Sequence, residues 1–347
     1  MRILYGVQAT GNGHITRARV LLPALQAAGA EVDVLFSGRP RERLFNMEPF
    51  GRYTHRRGLT FITEAGRVKW WQTLLQNRPV ELMRDIRALD VRGYDLVLSD
   101  FEPVTAWAAR RAAVPSLGIA HQYAFLYPIP GTGFSPWLKP SIRLFAPVDE
   151  AVGLHWSAFN APILPPMIEP LTGQPSREAD KVLVYLPFEA RDEVVYWLSG
   201  LPKVRFRVYC NVDQPRTVDN VELLPFSRSG FQQDLYTCRG VIANAGFGLC
   251  SEAIQAGKNL LVKPLSGQLE QVSNAVVLEQ MGLAQVMPRL GLDPIRHWLE
   301  QPAANPVPWP NVASTLARWI LTGRQVPLEQ LSRELWQDTR VPVITPA

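Results

Sequence analysis

Short runs of leucine and β-branched residues recur along the chain. They alternate with stretches whose apolar residues return every three or four positions. In the first half, "RILYGV" (2–7), "EVDVLFS" (31–37), "DLVLSD" (95–100) and "PSLGIA" (115–120) read as strands, and roughly 15–28, 79–90 and 103–112 as helices. In the first of these helices Ile15, Ala18, Leu22 and Leu25 share a face, Gly29 ends it, and Pro23 predicts a kink or a late start. Such alternation is the signature of a parallel sheet covered by helices.

The pattern breaks after about residue 155. "NAPILPPMIEPLTGQPSREADK" holds five of the chain's 30 prolines within 22 residues and reads as a linker. Alternation then resumes with strands at 181–188, 205–211, 221–226, 240–245 and 259–265, and helices near 191–199, 230–237, 249–256 and 268–281. "QPAANPVPWP" is a connector before a last strong helix, "NVASTLARWILTG". We therefore expect two doubly wound α/β domains, 1–160 and 181–325, joined by a linker at 161–180. A tail, 326–347, is expected to pack back on the first domain.

A length of 347 residues suits two cores rather than one, and 47% hydrophobic with 19% charged residues marks the globular class. No apolar run approaches the ~18 residues that span a bilayer. A strand at the very start predicts that no signal peptide precedes it. Cys210, Cys238 and Cys250 lie far apart without CxxC spacing, which argues against a disulfide framework or zinc site and for the reducing cytoplasm. The net charge of +5 is lopsided: residues 1–160 carry 19 Lys/Arg against 13 Asp/Glu, and the remainder 17 against 18. An anionic substrate, a membrane surface touched peripherally, or a scattered basic surface each account for this surplus. "RVKWWQTLLQNRPVELMRDIR" (67–87) fits either an acceptor-binding, membrane-leaning flap or an ordinary packed helix. No nucleic-acid partner is expected, since no RNP, zinc-finger or helix-turn-helix signature appears.

Two glycine turns carry candidate chemistry. "TGNGHITRA" (10–18) follows the first strand but lacks the third glycine of a dinucleotide loop and the lysine of a P-loop. The second lies in "GVIANAGFGLCSEAIQAGKNLLVKPLSGQLEQVSNA" (240–275), a strand, a tight turn, a helix, a strand and a polar loop entering another helix. Gly246 and Gly248 permit close backbone approach and positive φ where a helix starts, and the unpaired N–H groups there suit a diphosphate. Glu252, one turn inside, is placed to accept from ribose hydroxyls. Glu270 and Gln271 sit at the same edge, suited to sugar hydroxyls. Each feature alone also has a purely structural explanation, such as dipole complementation by Glu252.

Taken in this order, the block resembles the donor domain of GT-B glycosyltransferases, particularly MurG-like and UDP-glucuronosyltransferase-like enzymes. "NAGFGLCSE", "VKPL" and "EQVSNA" stand in register with that pattern. Plant-type members have a His at the position of Asn244 and a Ser at that of Leu249. The MurG branch also lacks that His, and the Pro264-to-Gln271 spacing fits it better. The resemblance implies a GT-B fold, two Rossmann-like domains facing across a cleft. It implies a donor site built from Asn244, Gly246, Phe247, Gly248, Leu249, Glu252, Glu270 and Gln271, with Phe226 of "LPFSRSGFQQDL" beside the base; core packing is the competing role for Phe226.

The first turn then faces the acceptor. His14, flanked by Gly11, Asn12 and Gly13, is the candidate base, since an imidazole takes a proton near neutral pH. Asp100 is expected to orient it, with Glu102 as substitute; helix capping is the competing role for Asp100. His121 and Gln122 of "IAHQYAF" are expected on the acceptor side, with His121 as alternative base. No DxD or metal-ligand spacing is present, so neither metal nor cofactor is expected beyond a nucleotide-sugar co-substrate, a UDP-sugar in the first instance. The expected activity is inverting, metal-independent sugar transfer to an acceptor class that includes lipid-linked and other anionic molecules. The alternatives are a UDP-sugar epimerase of the same fold and a non-catalytic nucleotide-sugar sensor. The expected location is the cytoplasm or the inner face of its membrane.

Overall fold

The computed structural model describes residues 1–59, 63–64, 67–68, 79–133, 136–171, 173–337 and 339. Strands β1 (Arg2–Gln8), β2 (Glu31–Ser37) and β3 (Tyr53–His55) are followed by a small hairpin, β4 (Thr63–Glu64) and β5 (Arg67–Val68). Next come β6 (Leu96–Asp100), β7 (Ser116–Ala120) and β8 (Glu150–Gly153). The six longer-range strands form one parallel sheet, β3-β2-β1-β6-β7-β8. Helices α1 (Asn12–Ala27), α2 (Pro79–Ala88), α3 (Pro103–Ala112) and α4 (Leu138–Phe145) accompany it. β6 and β7 are buried throughout, as strands covered on both faces must be. α3 lies so close to β1 that a Cβ on Gly6 would fall 2.0 Å from Thr105 Oγ1.

The second sheet takes the order β11-β12-β10-β9-β13-β14-β15. Its strands are β9 (Glu178–Tyr185), β10 (Arg205–Tyr209), β11 (Arg216–Val218), β12 (Val221–Leu224), β13 (Cys238–Asn244), β14 (Asn259–Lys263) and β15 (Gln285–Val286). Apart from the antiparallel β11–β12 pair, its pairs are parallel. Its helices are α5 (Arg191–Ser199), α6 (Arg228–Thr237), α7 (Phe247–Gln255), α8 (Leu269–Gln280) and α9 (Leu292–Leu299). Two last helices, α10 (Val312–Leu321) and α11 (Leu328–Gln337), return toward the first domain. α10 lies against α1, Arg324 pairs with Glu150 of β8 at 2.8 Å, and Ser332 and Trp336 both donate to the Ile163 carbonyl.

Three helices start earlier than the apolar pattern predicts, among them α6, at Arg228 rather than near residue 230. α1 begins at Asn12 rather than near residue 15 and continues through Pro23, and α7 begins at Phe247 rather than near 249. In α1 the first buried apolar residue is Ile15, so the opening turn carries no apolar period to betray it. The expected positive φ at the second turn is not found: Gly246 has φ −78° and ψ 134°, and Gly248 is helical. Of the 67–87 segment, residues 69–78 lie outside the described residues, and 79–87 belong to α2. No helix among the described residues is long and apolar enough to cross a membrane.

Candidate active site

In the first sheet β1 is flanked by β2 on one side and β6 on the other, the point where strand order reverses and where doubly wound folds place their ligands. Val7 pairs with Asp100 in register, so the turn leaving β1 and the end of β6 emerge side by side. His14, in the first turn of α1, reaches Asp100, with Nδ1 2.7 Å from Oδ1; an ionised carboxylate only accepts, which assigns the proton to Nδ1 and the free lone pair to Nε2. Arg17, one turn further along α1, donates through Nε to Asp100 Oδ2 at 2.8 Å and through Nη2 to Oδ1. The same Nη2 lies 2.9 Å from His14 Nδ1. Asp100 is fully buried, as is nearly all of Arg17. Burial alone would raise the Asp100 carboxyl, but Arg17 and His14 more than offset it and hold it below the usual carboxylate range.

Arg17 did not figure among the sequence candidates. Its signal was its spacing: three residues after His14 on a helix, where side chains share a face. Capping of α3 falls to Glu102 rather than Asp100. Glu102 accepts from the Val104 and Thr105 backbone N–H groups, at 2.9 and 2.7 Å, and from Ser37 Oγ at 2.6 Å. Between the two acids Phe101 adopts φ 52°, a left-handed conformation that turns the chain sharply and separates their roles. Glu102 is thus engaged beneath the helix, and Asp100 stands toward α1.

His121 is 1% exposed and both ring nitrogens are occupied, Nδ1 by the Leu154 carbonyl at 2.8 Å and Nε2 by Asn274 Oδ1 at 2.9 Å. Its ring stacks on Phe247 of the second domain, centroids 4.1 Å apart and planes 2° from parallel. Burial lowers its pKa against the pull of Glu270. His121 therefore sits as a joint between the domains. Gln122 crosses the same boundary, donating through Nε2 to Glu270 Oε2 at 2.9 Å. Asn12 donates to Tyr185 Oη at 3.2 Å, a third bond across it.

On the second domain, Gly246 is the N-cap of α7, with no side chain capping the turn and no acidic residue in it. A Cβ added to Gly246 meets no atom within 4 Å, and one on Gly248 would lie 3.6 Å from Gly13 Cα. The two glycine turns thus converge. Glu252 is half-buried, and its carboxylate has no hydrogen-bond partner among the described residues. Burial pushes it up to about 7, with Arg228 pulling it down. Phe226 is exposed. The remaining donor candidates have structural engagements. Asn244 donates to the Lys263 carbonyl at 2.9 Å and to Glu189 at 3.2 Å. Gln271 Oε1 accepts from the Leu265 N–H at 2.9 Å. Phe247 is buried under His121, and Leu249 packs against the core. Among the described residues no group of three or more His, Cys, Asp or Glu side chains is arranged to hold a metal ion.

A sequence profile for glycosyl transferase family 1 matches residues 1–127 and 156–301, and the chain belongs to that family. It is a glycosyltransferase of the GT-B fold. Solved structures share the architecture along nearly the whole chain. The spinosyn rhamnosyltransferase SpnG, complexed with thymidine diphosphate, superposes with a TM-score of 0.60 at 18% identity over 99% of this chain and 98% of its own. SnogD from Streptomyces nogalater gives 0.57 at 16% identity over 96% of each chain. SsfS6 from Streptomyces sp. SF2575, also complexed with thymidine diphosphate, gives 0.55 at 16% over 97% and 99%. At such identities the likeness concerns the fold. A search of curated protein sequences finds no match.

Proposed function

We propose that this enzyme transfers a sugar from a nucleoside-diphosphate sugar to an acceptor hydroxyl, with inversion and without a metal. The observation that carries the reading is the convergence of the His14–Asp100–Arg17 group with the open turn at Gly246 and Gly248. His14 Nε2 takes the proton of the acceptor hydroxyl as its oxygen bonds to the anomeric carbon. The bond from that carbon to the diphosphate oxygen breaks on the opposite face, and the nucleoside diphosphate leaves with the electron pair. Asp100 orients the imidazole and stabilises its charged form. N–H groups at the start of α7 receive the developing charge on the diphosphate. Glu252 and Glu270 are assigned to ribose and sugar hydroxyls, and Phe226 to the base.

Three relatives in fold hold thymidine diphosphate, which favours a TDP-sugar as donor. The Pro264-to-Gln271 spacing of the MurG-like pattern supports a UDP-sugar as second choice. The basic surplus of residues 1–160 supports an anionic acceptor, lipid-linked ones included, and the three free cysteines support a reducing compartment. A thermal-shift screen of TDP-, UDP- and GDP-sugars tests the donor site. Ligand at a hundred times Kd stabilises by about 2.7 kcal/mol, a rise of several degrees. No shift with any of the three would sink the reading. Release of nucleoside diphosphate only when acceptor is supplied separates transfer from epimerisation, which needs none.

A further inference from the structure

We propose that Phe45 of the first domain and Phe226 of the second form a slot that closes on the donor's nucleobase. The acceptor domain would then contribute directly to nucleotide recognition. This rests on the reading of the second domain as the nucleotide side. Both rings are left 37% and 42% exposed, although Phe is a residue that folding normally buries. They face each other across the domain boundary with centroids 6.3 Å apart and planes 14° from parallel. Direct stacking brings carbon atoms to about 3.5–4 Å, so a flat ring held between two others needs about 7–8 Å. A centroid distance of 6.3 Å lies within the range of about 4.5–7 Å for two rings stacked with an offset, so the pair is closed in this conformation. On the proposed reading the two rings part to admit a planar base between them and close on it.

The surroundings of the pair point the same way. Phe226 follows β12 at the carboxyl edge of the second sheet, and Tyr185 meets it edge-on at 6.3 Å. The Tyr185 hydroxyl is bonded to Asn12 in the first glycine turn, so the slot is continuous with the cleft that His14 faces. Phe45 closes a stretch anchored there by Arg39, which donates to Asn12 Oδ1 at 3.0 Å and to the Thr10 carbonyl at 3.1 Å. Stacking faces recognise any base, because every base presents a π-face. The slot therefore supplies affinity without choosing between thymine and uracil.

Equilibrium binding of TDP, UDP and inorganic pyrophosphate to wild type, Phe45→Ala and Phe45→Trp, without acceptor, tests this. Phe45→Ala is expected to weaken TDP and UDP about tenfold each, to leave pyrophosphate unchanged, and to keep the melting temperature. Phe45→Trp restores nucleotide affinity. Wild-type affinity for TDP in Phe45→Ala overturns the slot, and if acceptor KM rises at the same time Phe45 belongs to the acceptor. Equal weakening of pyrophosphate also overturns it, because the base is then not what Phe45 holds. If wild type binds neither nucleotide, the donor-site reading itself fails and the slot falls with it; if only the Phe45 variants behave as wild type, the slot alone fails.

Discussion

At Gly11 and at Gly246 a strand turns into a helix with no side-chain cap and no acidic residue in the first turn. Both turns follow a strand near the centre of a doubly wound sheet, and the two helices meet where Gly248 approaches Gly13. Their surroundings then diverge. At α1 the third helical residue is His14, tied to a fully buried carboxylate that Arg17 also grips. At α7 the opening turn offers only Phe247, Gly248 and Leu249, and the first charged side chain is Glu252. The local device is the same, and what differs is whether a neighbouring strand ends in an acid. We therefore assign proton transfer to the turn that has Asp100 beside it, and anion binding to the N–H groups of the turn that has none.

That division makes the largest predicted effects fall on turnover at one turn and on nucleotide affinity at the other. His14→Ala and Asp100→Asn are each expected to lower kcat by about 10²–10⁴-fold, the usual worth of a positioned general base. Nucleoside-diphosphate affinity should stay within about twofold. Steady-state kinetics beside a binding isotherm checks both, and loss of nucleotide binding with normal kcat would reverse the assignment. Gly246→Val comes next. A Cβ there meets no atom within 4 Å apart from its chain neighbours, so the fold is expected to persist while the space above the helix start fills. Nucleotide affinity should fall about 10- to 100-fold, the value of one or two bonds to a charged group, with a smaller change in kcat at saturating donor.

The sheets and most helices were legible because a buried parallel strand announces itself as a continuous apolar run. "DLVLSD" and "NLLVKPL" needed no other signal. The short edge strands at Tyr53–His55, Arg216–Val218 and Gln285–Val286 escaped notice because each is two or three residues long and none is buried throughout. The start of α1 was hidden because no buried apolar residue precedes Ile15, whereas α7 opens on buried Phe247 with Cys250 and Ile254 on the same face, a period that the flanking glycines masked. Asp100 and Glu102 were indistinguishable by residue type. Only the left-handed turn at Phe101 decides which caps the helix and which meets His14. Arg17 was missed because a basic residue on a helix is ordinarily solvent-facing; its spacing from His14 reveals the shared face but not that it is buried against an acid from β6. Phe45 pairs with Phe226 across 181 positions, and no periodicity within either segment foretells that.

The two carboxylates nearest these turns should also titrate in opposite senses, a smaller effect visible in stability. Asp100 is held below its ordinary range, so the stability it contributes is present above the unfolded pKa and lost as pH falls through the folded one. Glu252 is raised from 4.5 to about 7, so the folded protein retains a proton that the unfolded chain has already released across that window. Stability therefore falls as pH climbs from 4.5 toward 7 and then levels off. Glu252→Gln removes the penalty: it should melt with wild type at about pH 4.5 and a few degrees above it at about pH 8, the partial exposure of Glu252 keeping the gain small. Melting curves at the two pH values decide the matter. Coincident curves at both would mean that water already solvates this carboxylate, and α7 would then hold no desolvated charge ready for a ribose.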